Sequence, residues 1–95
     1  NNRLHDTVEL LENKINSREF EFSARLEVDY LNENYNLNIE EDEAYETLGG
    51  FIVYHNEDIP KQDEIIKINN LHFKMLKVDS SKIMEVYVKV LDKVD

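Results

Sequence analysis

Ninety-five residues with a formal charge of −10, 41% hydrophobic and 34% charged, make one small domain that folds around a core rather than staying disordered. The absence of cysteine excludes a disulfide framework and thiolate chemistry and fits a reducing compartment. The acidic balance argues against nucleic acid and anionic lipid as partners, and no apolar run reaches the ~18 residues of a membrane span, so direct membrane insertion is not expected.

The chain begins on asparagine, without a signal peptide, and a piece of a longer protein is expected. Leu4, Val8, Leu11 and Ile15 recur at spacings that predict an amphipathic helix over 4–15, with Asp6 as its cap and Glu9 behind it. Residues 1–17 are therefore read as a helical or linker segment, and 18–95 as the domain. Glu19 to Leu26 alternates strictly, with Phe20, Phe22, Ala24 and Leu26 on one side; this is a half-buried strand. Val28, Leu31 and Tyr35 give a short helix.

The densest acid cluster follows, at Glu40, Glu41, Asp42, Glu43 and Glu46. Ala44, Leu48, Phe51, Ile52 and His55 then form one stripe of a 3.6-residue period. They predict a second helix started by Asp42 or Glu43. Gly49-Gly50 falls inside it, at about 0.8–1.0 kcal/mol per glycine relative to alanine. Such a pair implies that another backbone, or a ligand, comes very close. It belongs to neither a GxGxxG nor a GxxxxGK[ST] phosphate loop. Pro60 biases Ile59 toward an extended conformation.

The remainder reads as β. Glu64 to Ile68 is a strand, Asn69-Asn70 a two-residue turn, and Leu71, Phe73 and Met75 alternate before Leu76 and Val78 change parity. A β-bulge near Met75–Lys77 reconciles the two. Asp79-Ser80-Ser81-Lys82 is a second turn, and Met84, Val86, Val88 and Val90 are the inward side of a last strand. The order (α)-β-α-α-β-β-β puts two helices over one face of a mostly antiparallel sheet, an α+β fold.

The search for chemistry finds little. His5, His55 and His72 belong to no HExxH or HxH pattern, and His55 suits the negative end of a helix. There is no nucleophile elbow. The five acids lack the spacing of an EF-hand loop, although they remain candidates for a hard cation such as Mg²⁺.

One stretch carries a family signature. "DEAYETLGGFIVYHNEDIP" resembles the core of the CorC/HlyC transporter-associated domain, in which a (D/E)-Y-(D/E)-T-L-(G/A)-G motif runs into Ile-Pro. Upstream, "FSARLEVDYLNENYNLNI" is similar to the strand and D-x-L-N helix of that family, through Asp29, Leu31 and Asn32; downstream, "FKMLKVDSSKIMEVYVKV" is similar to its closing hairpin. The resemblance covers about residues 18–91. It departs at two turns, where the family usually has glycine: at Ala24, and at Asp63 in Pro60-Lys61-Gln62-Asp63-Glu64.

The resemblance implies a β-α-α-β-β-β fold similar to the last subdomain of certain flavin-binding oxidases. It implies a non-catalytic module at the C-terminus of a magnesium/cobalt efflux or hemolysin-like membrane protein, after transmembrane and CBS domains, on the cytoplasmic face of the inner membrane. Its partners would be those upstream domains, with a homodimer as a further expectation. No catalytic residue and no cofactor is carried over, and the chain is not expected to be an enzyme. Two other readings stay open. One is a small-ligand module for a nucleotide or flavin-like ring, using Tyr45, Glu46, Thr47, Gly49 and Gly50. The other is a direct Mg²⁺ sensor using Glu40, Glu41, Asp42, Glu43 and Glu46.

Overall fold

The computed structural model describes residues 9–92. Seven elements follow one another: β1 (Glu12–Asn16), β2 (Glu19–Ser23), α1 (Val28–Tyr35), α2 (Leu48–Asn56), β3 (Ile65–Ile68), β4 (Leu71–Val78) and β5 (Ile83–Val90). The strands form one sheet in the order β1-β2-β5-β4-β3, antiparallel at every pairing. The last strand of the chain is thus the middle strand of the sheet. Both helices pack on one face, and the fold is α+β as the sequence predicts.

Alternation explains the core. Phe20 and Phe22 of β2, Val86 and Val88 of β5, and Leu71, Phe73 and Met75 of β4 all point to the helix side and are buried. Leu31 of α1 and Leu48, Phe51 and Ile52 of α2 close over them. Phe51 meets Phe73 edge to face at 5.9 Å, the geometry that aromatic quadrupoles favour. The register of β4 on β5 slips between Met75 and Lys77 and again between Lys77 and Val78, which is the bulge that the parity change requires. Asn69, at φ 54°, makes the tight β3–β4 turn. In the β4–β5 turn, Asp79 Oδ1 accepts from the amides of Ser81 and Lys82 at 2.8 and 2.9 Å.

Two expectations are corrected. The helix predicted over 4–15 is not formed in its described part: Glu12–Asn16 is an edge strand paired with β2, and residues 1–8 lie outside the described residues. A helix of two to three turns is marginal on its own, whereas β2 offers a full row of unpaired amides and carbonyls. The turn at Ser17 and Arg18 is set by Asn16 Oδ1 accepting from the Arg18 amide at 2.9 Å. The sheet therefore begins before residue 18. Glu12 also ties β1 to α1 by accepting from the hydroxyls of Tyr30 (2.7 Å) and Tyr35 (2.5 Å). That bond holds the Tyr35 phenol in its neutral form and, with burial, pushes its pKa up to about 12.

The second correction concerns α2. It starts at Leu48, not at Asp42 or Glu43, and its cap is Thr47, whose hydroxyl accepts from the Gly50 amide at 3.1 Å. Ala44 and His55, expected on the buried stripe, are exposed. The acids at 40–46 are loop, since nothing apolar in that stretch except Tyr45 reaches the core. β2 likewise ends at Ser23, three residues before the alternation does.

Asp63 stands at φ 68°, a left-handed conformation that costs a non-glycine residue roughly 1 kcal/mol. It is held there by its amide donating to the Met75 carbonyl at 2.9 Å. Asp63→Gly should therefore raise stability by about 0.5–1 kcal/mol, read as a higher urea midpoint at unchanged slope; a lowered midpoint would show that the aspartate supplies something more than backbone geometry.

Candidate functional site

The Tyr45–Gly50 motif is a seam between the two segments that precede the helices. The Val28 amide donates to the Glu46 carbonyl, the Leu48 amide to the Leu26 carbonyl and the Gly49 amide to the Ala24 carbonyl, each at 2.9 Å. Together with the Thr47 hydroxyl on the Gly50 amide, these bonds satisfy the amides of the first turn of α2. Such free amides are what make a helix start an anion site, and here none of these three is left over for a phosphate.

Every residue of the motif except the exposed Glu46 has a packing or capping task. Tyr45 is 8% exposed, lies edge to face on Phe51 at 5.4 Å and packs against Tyr54. Its hydroxyl donates to the Glu40 carbonyl. Burial, then the nearby charges of Glu40 and Asp42, raise its pKa. Leu48 is fully buried. A Cβ on Gly49 would stand 3.0 Å from the Ala24 Cβ and 3.3 Å from the Ala24 carbonyl oxygen. One on Gly50 would stand 3.1 Å from the Tyr45 Cβ. The close approach that the glycines permit is therefore to the chain's own strand end and its own tyrosine.

The acids part company. Glu41, Asp42 and Glu46 line one shallow cleft of about 190 Å³ with Glu27, Val28, Asp29 and Tyr45. Glu40 and Glu43 do not line it. Asp42 Oδ1 is occupied by the Ala44 amide at 2.8 Å, and Glu41 accepts from Asn32 at 3.3 Å. Among the described residues no three His, Cys, Asp or Glu side chains come together closely enough to hold a metal ion, so the cleft is negative without being a chelate.

Sequence reasoning passed over Glu27 and Asp29 as cleft residues and Asn32 as a clamp. Asn32 pins the 36–41 loop by donating to the Ile39 carbonyl (2.8 Å) and accepting from its amide (2.7 Å). The pairing of Glu27 with Thr47 brings the two acidic stretches together, and no local pattern announces a contact across twenty residues. The D-x-L-N motif was the available sign for Asn32.

With this geometry in hand, comparison with known proteins is informative. The family model of the transporter associated domain, CorC_HlyC, matches residues 13–92. The magnesium and cobalt efflux protein CorC of Buchnera aphidicola from Acyrthosiphon pisum is 31% identical over 77 residues, covering 81% of this chain and 26% of that protein. Its counterpart from the Schizaphis graminum strain is 30% identical, covering 83% and 28%. The chain spans about a quarter of the length of these relatives. Among solved structures, the Mg²⁺ and Co²⁺ transporter (CorC) associated region from Neisseria meningitidis superposes with a TM-score of 0.75 at 18% identity, over 84% of this chain and 98% of that one. A CorC_HlyC domain from a Xylella fastidiosa hemolysin, solved in complex with Mg²⁺ and Mn²⁺, gives 0.69 at 18% identity over 86% and 99%. Both are likenesses of fold.

If the glycines serve packing, Gly50→Val should destabilise the domain by about 1–3 kcal/mol through overpacking. Gly49→Ala should cost less in an Ala24→Gly background than in the native one, because its nearest obstacle is then gone. Denaturant melts of the wild type, the three single variants and the double variant measure both; a Gly50→Val midpoint equal to wild type would mean that this side of the helix has room for a ligand.

Proposed function

The chain belongs to the CorC_HlyC transporter-associated domain family, and on that premise we propose that it is the regulatory interaction module of a magnesium/cobalt efflux membrane protein. The observation that carries this reading is the use of the signature. Tyr45, Thr47, Leu48, Gly49 and Gly50 are spent on holding the fold together, which leaves the domain's surfaces to act. The module would lie on the cytoplasmic side of the membrane, next to the CBS and transmembrane domains of the same protein, and modulate transport without catalysing a reaction. No helix among the described residues is long and apolar enough to cross a membrane, so a transmembrane part would be supplied by the rest of the parent.

The test is transport by the parent protein with and without this domain. Deleting it should leave Mg²⁺ or Co²⁺ efflux from loaded vesicles measurable but change how the rate responds to the ion concentration on the cytoplasmic side. Identical rates at every concentration would overturn the reading.

A second reading has one observation in its favour: the Xylella domain was solved with Mg²⁺ and Mn²⁺. The side chains present here do not fit a tight site, because octahedral Mg²⁺ demands oxygens converging at about 2.0–2.1 Å and no three of the described His, Cys, Asp or Glu side chains come close enough to hold an ion. Mg²⁺ should therefore bind at millimolar concentration or weaker and be displaced as salt screens the field. NMR shifts at low and physiological ionic strength decide it. Saturation at micromolar Mg²⁺ in physiological salt, confined to Glu40, Glu41, Asp42, Glu43 and Glu46, would make the domain a direct ion sensor.

A further inference from the structure

The chain is acidic as a whole, at −10, but the outer face of its sheet, away from the helices, is divided. The acids of this face are Glu19 and Glu21 on β2 and Glu85 on β5. Two of them are engaged: Glu19 accepts from Tyr87 and Asn16, and Glu21 accepts from Asn13. The β3–β4 half carries Lys67, His72 and Lys74, with Lys89 beside them on β5. Neither β3 nor β4 contains an acid. Among the described residues Lys67 and Lys74 form no ion pair, Arg18–Asp92 being the pair formed. Ile65, His72, Lys74, Tyr87 and Lys89 line a shallow depression of about 210 Å³.

β3 is also an edge of the sheet. The Met75 amide donates to the Glu64 carbonyl at 2.9 Å, and the register continues through Ile66 with Phe73 and Ile68 with Leu71. Antiparallel ladders alternate hydrogen-bonded with non-hydrogen-bonded pairs, so Ile66 and Ile68 spend their backbone groups on β4. The amides and carbonyls of Ile65 and Lys67 point off the edge, and among the described residues nothing pairs with them. A strand added here would continue the sheet. One row of its side chains would lie beside Lys67 and Ile65, which is 52% exposed, and the other beside Ile66 and Ile68 on the helix side. A lysine on an open edge opposes pairing with a neutral strand. A carboxylate next to it reverses that preference, because opposite charges on neighbouring strands attract.

We propose that the β3 edge, with the lysines behind it, binds an extended acidic segment of a partner protein, its carboxylates on the outer face and aliphatic side chains alternating with them. Backbone hydrogen bonds to Ile65 and Lys67 supply the pairing, and Lys67 and Lys74 select the charge. A flat anionic lipid surface fits less well, because it would also press on Glu19, Glu21 and Glu85, whereas a single chain along β3 meets only the basic half. This deepens the interaction-module reading by naming one contact and its chemistry. Binding is measured on this chain without transport, so its failure would leave the transport test of that reading untouched.

Peptide titration followed by NMR tests it. A short blocked peptide of alternating glutamate and valine should shift the signals of β3 and slow amide exchange at Ile65 and Lys67. Lys67→Glu should weaken that binding by about tenfold or more, since it sets like charges side by side, while Lys14→Glu on the opposite edge should leave it unchanged. A lysine–valine peptide should protect the same two positions in the Lys67→Glu variant and not in wild type, which also shows the variant to be folded. N-methylation of the glutamate amides keeps every charge, removes the strand's donors and should abolish the protection. No protection at Ile65 and Lys67 at millimolar peptide, equal binding by Lys67→Glu, or equal binding of the N-methylated peptide would each sink the proposal. Tighter binding to phosphatidylglycerol vesicles than to the peptide, lost in Lys67→Glu, would assign the face to lipid instead.

Discussion

Three backbone hydrogen bonds between residues 24–28 and 46–49 fix where both helices start. They bring the end of β2, the start of α1 and the start of α2 to one place, and the two helices leave from it over the same face of the sheet. The bonds need the two backbones to approach closely, which is why a Cβ on Gly49 would touch Ala24. A backbone amide left unpaired in such a place would cost about 1–3 kcal/mol. The seam avoids that cost by letting each segment serve as the other's partner, with Thr47 capping the one amide that the strand end cannot reach.

This dependence clarifies why a short signature can stand for a whole fold. Tyr45 roofs Gly50 and leans on Phe51; Thr47 caps, Leu48 fills the core, and Gly49 admits Ala24. Changing any one disturbs the seam rather than a reactive centre. The two positions where this chain departs from the family's glycines also fall where backbone space or sign is demanded. Ala24 is the atom nearest Gly49, and Asp63 carries a left-handed φ of 68°. Both demands are met without glycine, one because Gly49 carries no Cβ to meet the Ala24 methyl and the other by a residue type that tolerates left-handed backbone.

The strands of the second half were legible because alternation is local: Phe73 and Met75 point inward, and the parity change at Leu76 reports its bulge directly. The same holds for Phe20 and Phe22. What failed was longer in range. Ile15 fell on a helical period, yet its strand exists because β2 has an edge to fill, information that resides in the next strand and not in the period of its own segment. Ala44 also fell on a helical period, but the seam decides that α2 cannot begin until Leu48. The acid cleft was half legible: Glu41, Asp42 and Glu46 stood out by density, whereas Glu27 and Asp29 joined them only through the pairing of Glu27 with Thr47.

Charge and chemistry are distributed by the same topology. The helices occupy one face of the sheet, and the acidic loops that connect them gather on that side, where like charges fan into water instead of converging. The other face is left to the alternate residues of the strands, and there the sequence places lysine on β3, β4 and β5 and glutamate on β2 and β5. Among the described residues no buried side-chain polar atom lacks a partner, so the interior offers no strained or orphaned group for a substrate to satisfy. A small fold whose interior polar groups are all engaged can still be read by others through shape and the sign of its faces. The two faces of this sheet differ in both respects: helices and acidic loops cover one, and the alternate strand residues alone make the other.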